Sequence, residues 1–136
     1  MNKQDKLTGE DGNFYYGEFW SGDIKLGYKS IEPPTTLLNK IILMAEELQV
    51  VRDYIGSPIH ITSAYRTIAW NRHEGGVKNS YHTQGIAVDI RVNGMTPGDL
   101  GIYVAKLTTE FRGYVSNIKK NFLRIDMRPT LMVFKY

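Results

Sequence analysis

Between Leu37 and Ile55 the apolar positions Leu37, Ile41, Met44, Ala45, Leu48, Val51 and Ile55 fall mostly three and four apart. That period marks one buried face of an α-helix. Pro33-Pro34-Thr35 supplies a start and Gly56-Ser57-Pro58 a stop, so a helix is predicted over 35–54. The pattern then changes. Ile59-His60-Ile61-Thr62-Ser63 alternates and is β-branched, which predicts a strand over 59–63, and Ile86–Val92 predicts a second over 86–92. Residues 67–81, with Gly75-Gly76, Asn79 and Ser80, read as a long loop between them. A second helix is predicted over 97–111: Thr96 as N-cap, Pro97 first, Asp99 third, and Leu100, Val104, Leu107 and Phe111 on one face. Tyr114–Ile118 and Phe122–Met127 follow as short strands joined by a turn through Lys119-Lys120-Asn121. The order α-β-β-α-β-β, with no repeat and no linker, predicts an α+β fold: one domain with a central antiparallel sheet flanked by helices.

Residues 1–34 lack this periodicity. Asn13-Phe14-Tyr15-Tyr16-Gly17-Glu18-Phe19-Trp20 reads as an irregular arm whose rings pack on the domain formed by 35–136. With 136 residues, 42% hydrophobic and 12% aromatic, the chain has material for one core and hardly two. The longest apolar stretch, around Ile41–Ala45, is far too short to span a bilayer, and Met1–Lys6 lacks the apolar run of a signal peptide. No membrane insertion is expected, and the chain is expected to be cytoplasmic when made. A net charge of +3, from scattered Lys and Arg, gives no nucleic-acid signature. Zero cysteines exclude a disulfide framework and any thiolate metal site. A metal here would need His, Asp or Glu.

The chemistry concentrates in Ser80-Tyr81-His82-Thr83-Gln84-Gly85-Ile86-Ala87-Val88-Asp89. It sets a loop histidine and a strand aspartate on either side of a glycine able to turn sharply. Such a pair is either a hydrogen-bonded structural couple or two-thirds of a catalytic zinc site, which needs three protein ligands and an open position.

Ser80-x-His82-x-x-Gly85-x-Ala87-x-Asp89 resembles, position for position, the SxHxxGxAxD signature of the zinc D,D-peptidases, the D-alanyl-D-alanine carboxypeptidase family. Pro58–Arg66 resembles that family's PIxITSGYR strand, Asn71 with Gly75-Gly76 and Asn79-Ser80 its approach to the signature, and Phe122–Arg128 its FVHxDxR strand. Phe19-Trp20 and Pro33-Pro34 resemble the N-terminal region of the small branch encoded by phages and prophages. The likeness spans about residues 14–129. It implies a small α+β domain with its site on the open face of the sheet, and a metallopeptidase cutting peptidoglycan stem peptides. His82 and Asp89 fall on two zinc ligands, Arg66 on the arginine that polarises the substrate carbonyl, and Ser80 on a serine that seats the substrate. Asp126 shares a strand face with the third ligand position, as a general base would. Cell-wall peptides, and virion proteins, are the partners implied.

At the third ligand position this chain has Arg124 where the family has His. A guanidinium stays protonated and donates no lone pair. Opposite a dication at ~4 Å it costs roughly 8 kcal/mol at an effective dielectric of ~20. Asn121 stands where some relatives have a second acid. His73 is a candidate substitute ligand, His60 and Glu74 weaker ones; the alternative is that Arg124 pairs with Asp89 or Asp126. Two hypotheses follow: a zinc-dependent peptidase, or a peptidase fold without metal serving as a binding or structural component. Zinc content separates them.

Overall fold

The computed structural model describes residues 1–20, 31–67, 71–72 and 80–135. After a single 3-10 turn at Thr35–Leu37, helix α1 runs Leu38–Ile55 and buries Ile41, Met44, Ala45, Leu48 and Val51. Gly56 ends it in the left-handed region, φ 70°, with its N–H donating to the Arg52 carbonyl. Helix α2 runs Pro97–Leu107, and the Thr96 hydroxyl accepts from the Asp99 N–H at 3.1 Å. It stops short of the predicted residue 111. The Thr108 hydroxyl turns back to the Val104 carbonyl, and the Glu47 carboxylate of α1 takes the N–H groups of Thr109 and Glu110. Side-chain bonds of this kind compete with the helical ladder. Phe111 is buried all the same, but from the irregular segment between α2 and the strand that follows.

Five strands form one sheet in the order β1-β2-β4-β3-β5: β1 His60–Ser63, β2 Ala87–Arg91, β3 Gly113–Asn117, β4 Phe122–Asp126 and β5 Met132–Lys135. The first four pair antiparallel, as expected. The fifth strand has no counterpart in the sequence reading and pairs parallel with β3, which makes the sheet mixed. The β3–β4 turn closes at Asn121, φ 53°, a residue type that tolerates this region.

Strand alternation divides the side chains cleanly. Val88 and Ile90 of β2 and Leu123 and Ile125 of β4 belong to the buried cluster shared with both helices. Phe14, Tyr16 and Phe19 join that cluster from the N-terminal segment. The alternate set, Asp89, Arg124 and Asp126, lies on the other face. A bulge between Ile61 and Ser63 flips the end of β1, so that Ser63 comes opposite Asp89. The face turned away from α1 and α2 therefore receives the polar residues.

Candidate functional site

Asp89 is the hub. It sits in the middle of β2, directly across from Arg124 on β4, and is 3% exposed. Nε of Arg124 donates to Oδ1 at 2.8 Å and Nη2 to Oδ2 at 3.3 Å, a bidentate pairing of guanidinium and carboxylate. Of the two aspartates the sequence offered Arg124, the structure selects Asp89. Nη2 of Arg66 comes within 3.7 Å of Oδ2, and Nε2 of His82 within 3.2 Å of Oδ1.

Each of these neighbours is fixed by its own local structure. The Ser80 hydroxyl accepts from the His82 N–H, the His82 carbonyl accepts from the N–H of Arg66 and of Gly85, and Ile86 N–H returns to the Tyr81 carbonyl. Gly85 makes the tight turn: its φ is +71°, and a Cβ there would press on Leu37 at 2.9 Å. Nδ1 of His82 lies 2.8 Å from the Ala64 carbonyl, an acceptor only, so Nδ1 carries the proton. Nε2 is buried, without a hydrogen bond, and faces the carboxylate. Arg66 is buried too, its Nε on the Ser63 hydroxyl and its Nη1 on the Asn71 amide oxygen.

Burial on its own would raise the Asp89 pKa. Contact with His82 and then with Arg124 outweighs it and holds the group below the ordinary carboxylate value. The carboxylate is ionised and saturated.

Asp126 follows different rules. Arg128, two residues on, donates from Nε to Oδ1 and from Nη2 to Oδ2, each at 2.7 Å, and adds its backbone N–H at 3.2 Å. The guanidinium stacks 4.9 Å from the Tyr81 ring centre. Gly113 lies opposite on β3, and a Cβ there would collide with Asp126 Oδ1 and Arg128 Nε. Both oxygens of Asp126, for which a general-base role is implied, thus already accept from Arg128. Sequence reasoning gave Arg128 no role, although the spacing Asp126-x-Arg128 puts both on one strand face. Ser80 orders the turn that carries His82. His60 is in register with Arg91, not Asp89, and borders a cavity with Glu18 and Arg52. His73 and Glu74 lie outside the described residues.

The sequence profile of peptidase M15, the zinc D-Ala-D-Ala carboxypeptidase-like family, matches residues 18–126, from the N-terminal turn to Asp126. The chain belongs to the peptidase M15 family. A comparison of the whole chain with curated proteins finds no match.

M15 peptidases use zinc. His82 fits such an ion by place: Nδ1–H on a backbone carbonyl is how a ligating imidazole is oriented, and it leaves Nε2 buried and facing the site. Asp89 fits by type and place, but both its oxygens already accept from Arg124. No group of three His, Asp or Glu side chains able to hold a metal is present among the described residues. With a guanidinium against the second donor and no third donor among the described residues, the set does not fit a catalytic zinc. No helix of the described residues is long and apolar enough to cross a membrane.

Proposed function

We propose that this M15 protein holds peptidoglycan stem peptides without cutting them, the Arg124 guanidinium standing where relatives carry the metal. The observation behind this reading is the bidentate contact of Arg124 with a carboxylate whose side chain is 4% exposed. Arg124 and Arg66 bring two fixed positive charges to one aspartate. A guanidinium suits the carboxylate end of a peptide, and the Arg124 side chain, 35% exposed, is the part that peptide reaches. Phe122, with its ring centre 5.7 Å from the guanidinium, and Val115, across from Arg124 on β3, supply apolar surface beside the charge. A wall-binding component of a phage virion is the setting in which such a module serves, and the resemblance of Phe19-Trp20 and Pro33-Pro34 favours it.

Arg124→His is the decisive variant. The purified chain is expected to carry no stoichiometric zinc and to leave a stem pentapeptide ending in D-Ala-D-Ala intact. Arg124→His is expected to raise zinc affinity by orders of magnitude, since it rebuilds a His-Asp-His set. One equivalent of zinc in the unaltered protein, with a ligand such as His73 completing the sphere, overturns the reading and restores the peptidase.

A further inference from the structure

The two edges of the sheet are finished differently. At the β1 edge the N-terminal segment folds over the end of the strand: the Tyr65 N–H donates to the Phe19 carbonyl at 3.1 Å, and Trp20 bridges Tyr65. At the other edge β5 is the last strand among the described residues, with β3 on one side of it. Its first three side chains stay in solvent on both faces: Met132 is 39% exposed, Val133 69% and Phe134 49%, with Leu131 just before them at 72%. A groove of about 940 Å³ runs beside β5 on the helix side. Gly98, Gly101 and Ile102 of α2 form one wall, and Leu131 and Val133 the other.

The backbone of β5 is set up for a further strand. Met132 N–H donates to the Arg112 carbonyl at 2.8 Å, so even-numbered residues of β5 turn their polar groups to β3. Val133 and Lys135 therefore direct N–H and C=O outward. An edge strand that is apolar on both faces and carries no proline is a template for pairing.

We propose that β5 pairs antiparallel with β5 of a second copy of this chain, about a two-fold axis at Val133, to give a ten-stranded sheet. In this register Val133 opposes its own counterpart as a hydrogen-bonded pair. Met132 opposes Phe134, and Lys135 opposes position 131, so the two lysines do not face each other. Val133 shares its face with Tyr114, so its counterpart enters the groove. From their fractional exposures, Ile102, Ile118 and Leu131–Phe134 together leave on the order of 600 Å² of side-chain surface open per copy. That stands at the upper end of what a monomer ordinarily leaves open, ~300–600 Å², and approaches the ~800 Å² per partner of a standard interface. An axis perpendicular to the sheet leaves both Asp89–Arg124 sites on the same face, with Arg124 and its counterpart five strand spacings, roughly 24 Å, apart. The pairing does not depend on what those sites bind.

Sedimentation equilibrium of the full chain is expected to give twice the 15.6 kDa monomer mass at micromolar concentrations. Val133→Pro removes an outward N–H and no bond to β3, and Val133→Lys sets two charges against each other. Both are expected to sediment as monomers that still melt cooperatively, at a temperature that no longer depends on protein concentration. Hydrogen exchange on the unaltered protein needs no variant: the Val133 and Lys135 amides are expected to be protected when concentrated and to exchange freely on dilution. A monomer at all concentrations, a dimer unaffected by Val133→Pro, or exchange independent of dilution overturns the proposal.

Discussion

Two buried aspartates share one face of the sheet, and each is clamped by an arginine. Asp126 meets Arg128 from its own chain two residues on, and the only side chain opposite it on β3 is the hydrogen of Gly113. Asp89 meets Arg124 from the neighbouring strand, Arg66 from beyond the β1 bulge and His82 from the Ser80 turn. The first pair is local and tightly enclosed. The second gathers three segments that only the fold unites, and its guanidinium remains reachable from solvent. The difference separates a lock that ties the end of β4 from a hub able to meet a ligand. A buried ion pair is weak evidence of net stabilisation, but breaking one leaves an uncompensated charge. Each pair can therefore be tested by removing one partner.

The largest effect is expected at the lock. Asp126→Ala strands the Arg128 guanidinium, whose side chain is 15% exposed, and should cost about 3–5 kcal/mol in urea denaturation. A loss below ~1 kcal/mol would show that Arg128 finds solvent easily and would erase the contrast.

Arg124→Met should cost less, about 1–3 kcal/mol, because water screens the partly exposed guanidinium and Arg66 and His82 still face Asp89. The same variant should abolish binding of a stem pentapeptide in a titration, while Asp126→Ala, if folded, should leave it measurable. Equal losses in both would mean that the two pairs form one unit.

The smallest effect is a pH dependence. The Asp89 pKa is lowered in the folded protein, so its contribution is present above the unfolded carboxyl value of about 4 and is lost as pH falls through the folded value. Without Arg124 that folded value rises. The stability gap between the parent and Arg124→Met should therefore be full at neutral pH, narrow as pH falls through the raised value of the variant, and close below the lowered value of the parent. A gap that persists into strong acid would assign the effect of Arg124 to packing rather than charge.

Much of this was legible before any coordinates. Periodicity located both helices and four strands because a helix or strand on a core must repeat its apolar residues at its own pitch. The Thr96 cap and the Gly56 stop were readable because they are short-range chemistry. The signature residues could be named one by one, although the roles they carry in relatives remain expectations for this chain. Arg128 went unassigned since a strand pattern states which face a residue takes, not which partner it finds there. Strand β5 was missed because Met132-Val133-Phe134 does not alternate, an edge exposed on both faces having no polarity pattern to show.

The sequence by itself determined the alternation that puts Val88 and Ile90 inside and Asp89 outside, and it determined that a guanidinium stands at residue 124. Those are properties of covalent order and side-chain chemistry. Which carboxylate Arg124 grips was decided only by the tertiary structure. The β2–β4 register sets residue 124 opposite residue 89, and the bulge in β1 turns Ser63, and with it Arg66, onto the same face. Register and bulge are outcomes of whole-sheet packing: a one-residue slip would send Arg124 opposite Val88 or Ile90, and no local spacing records which pairing buries the most apolar surface.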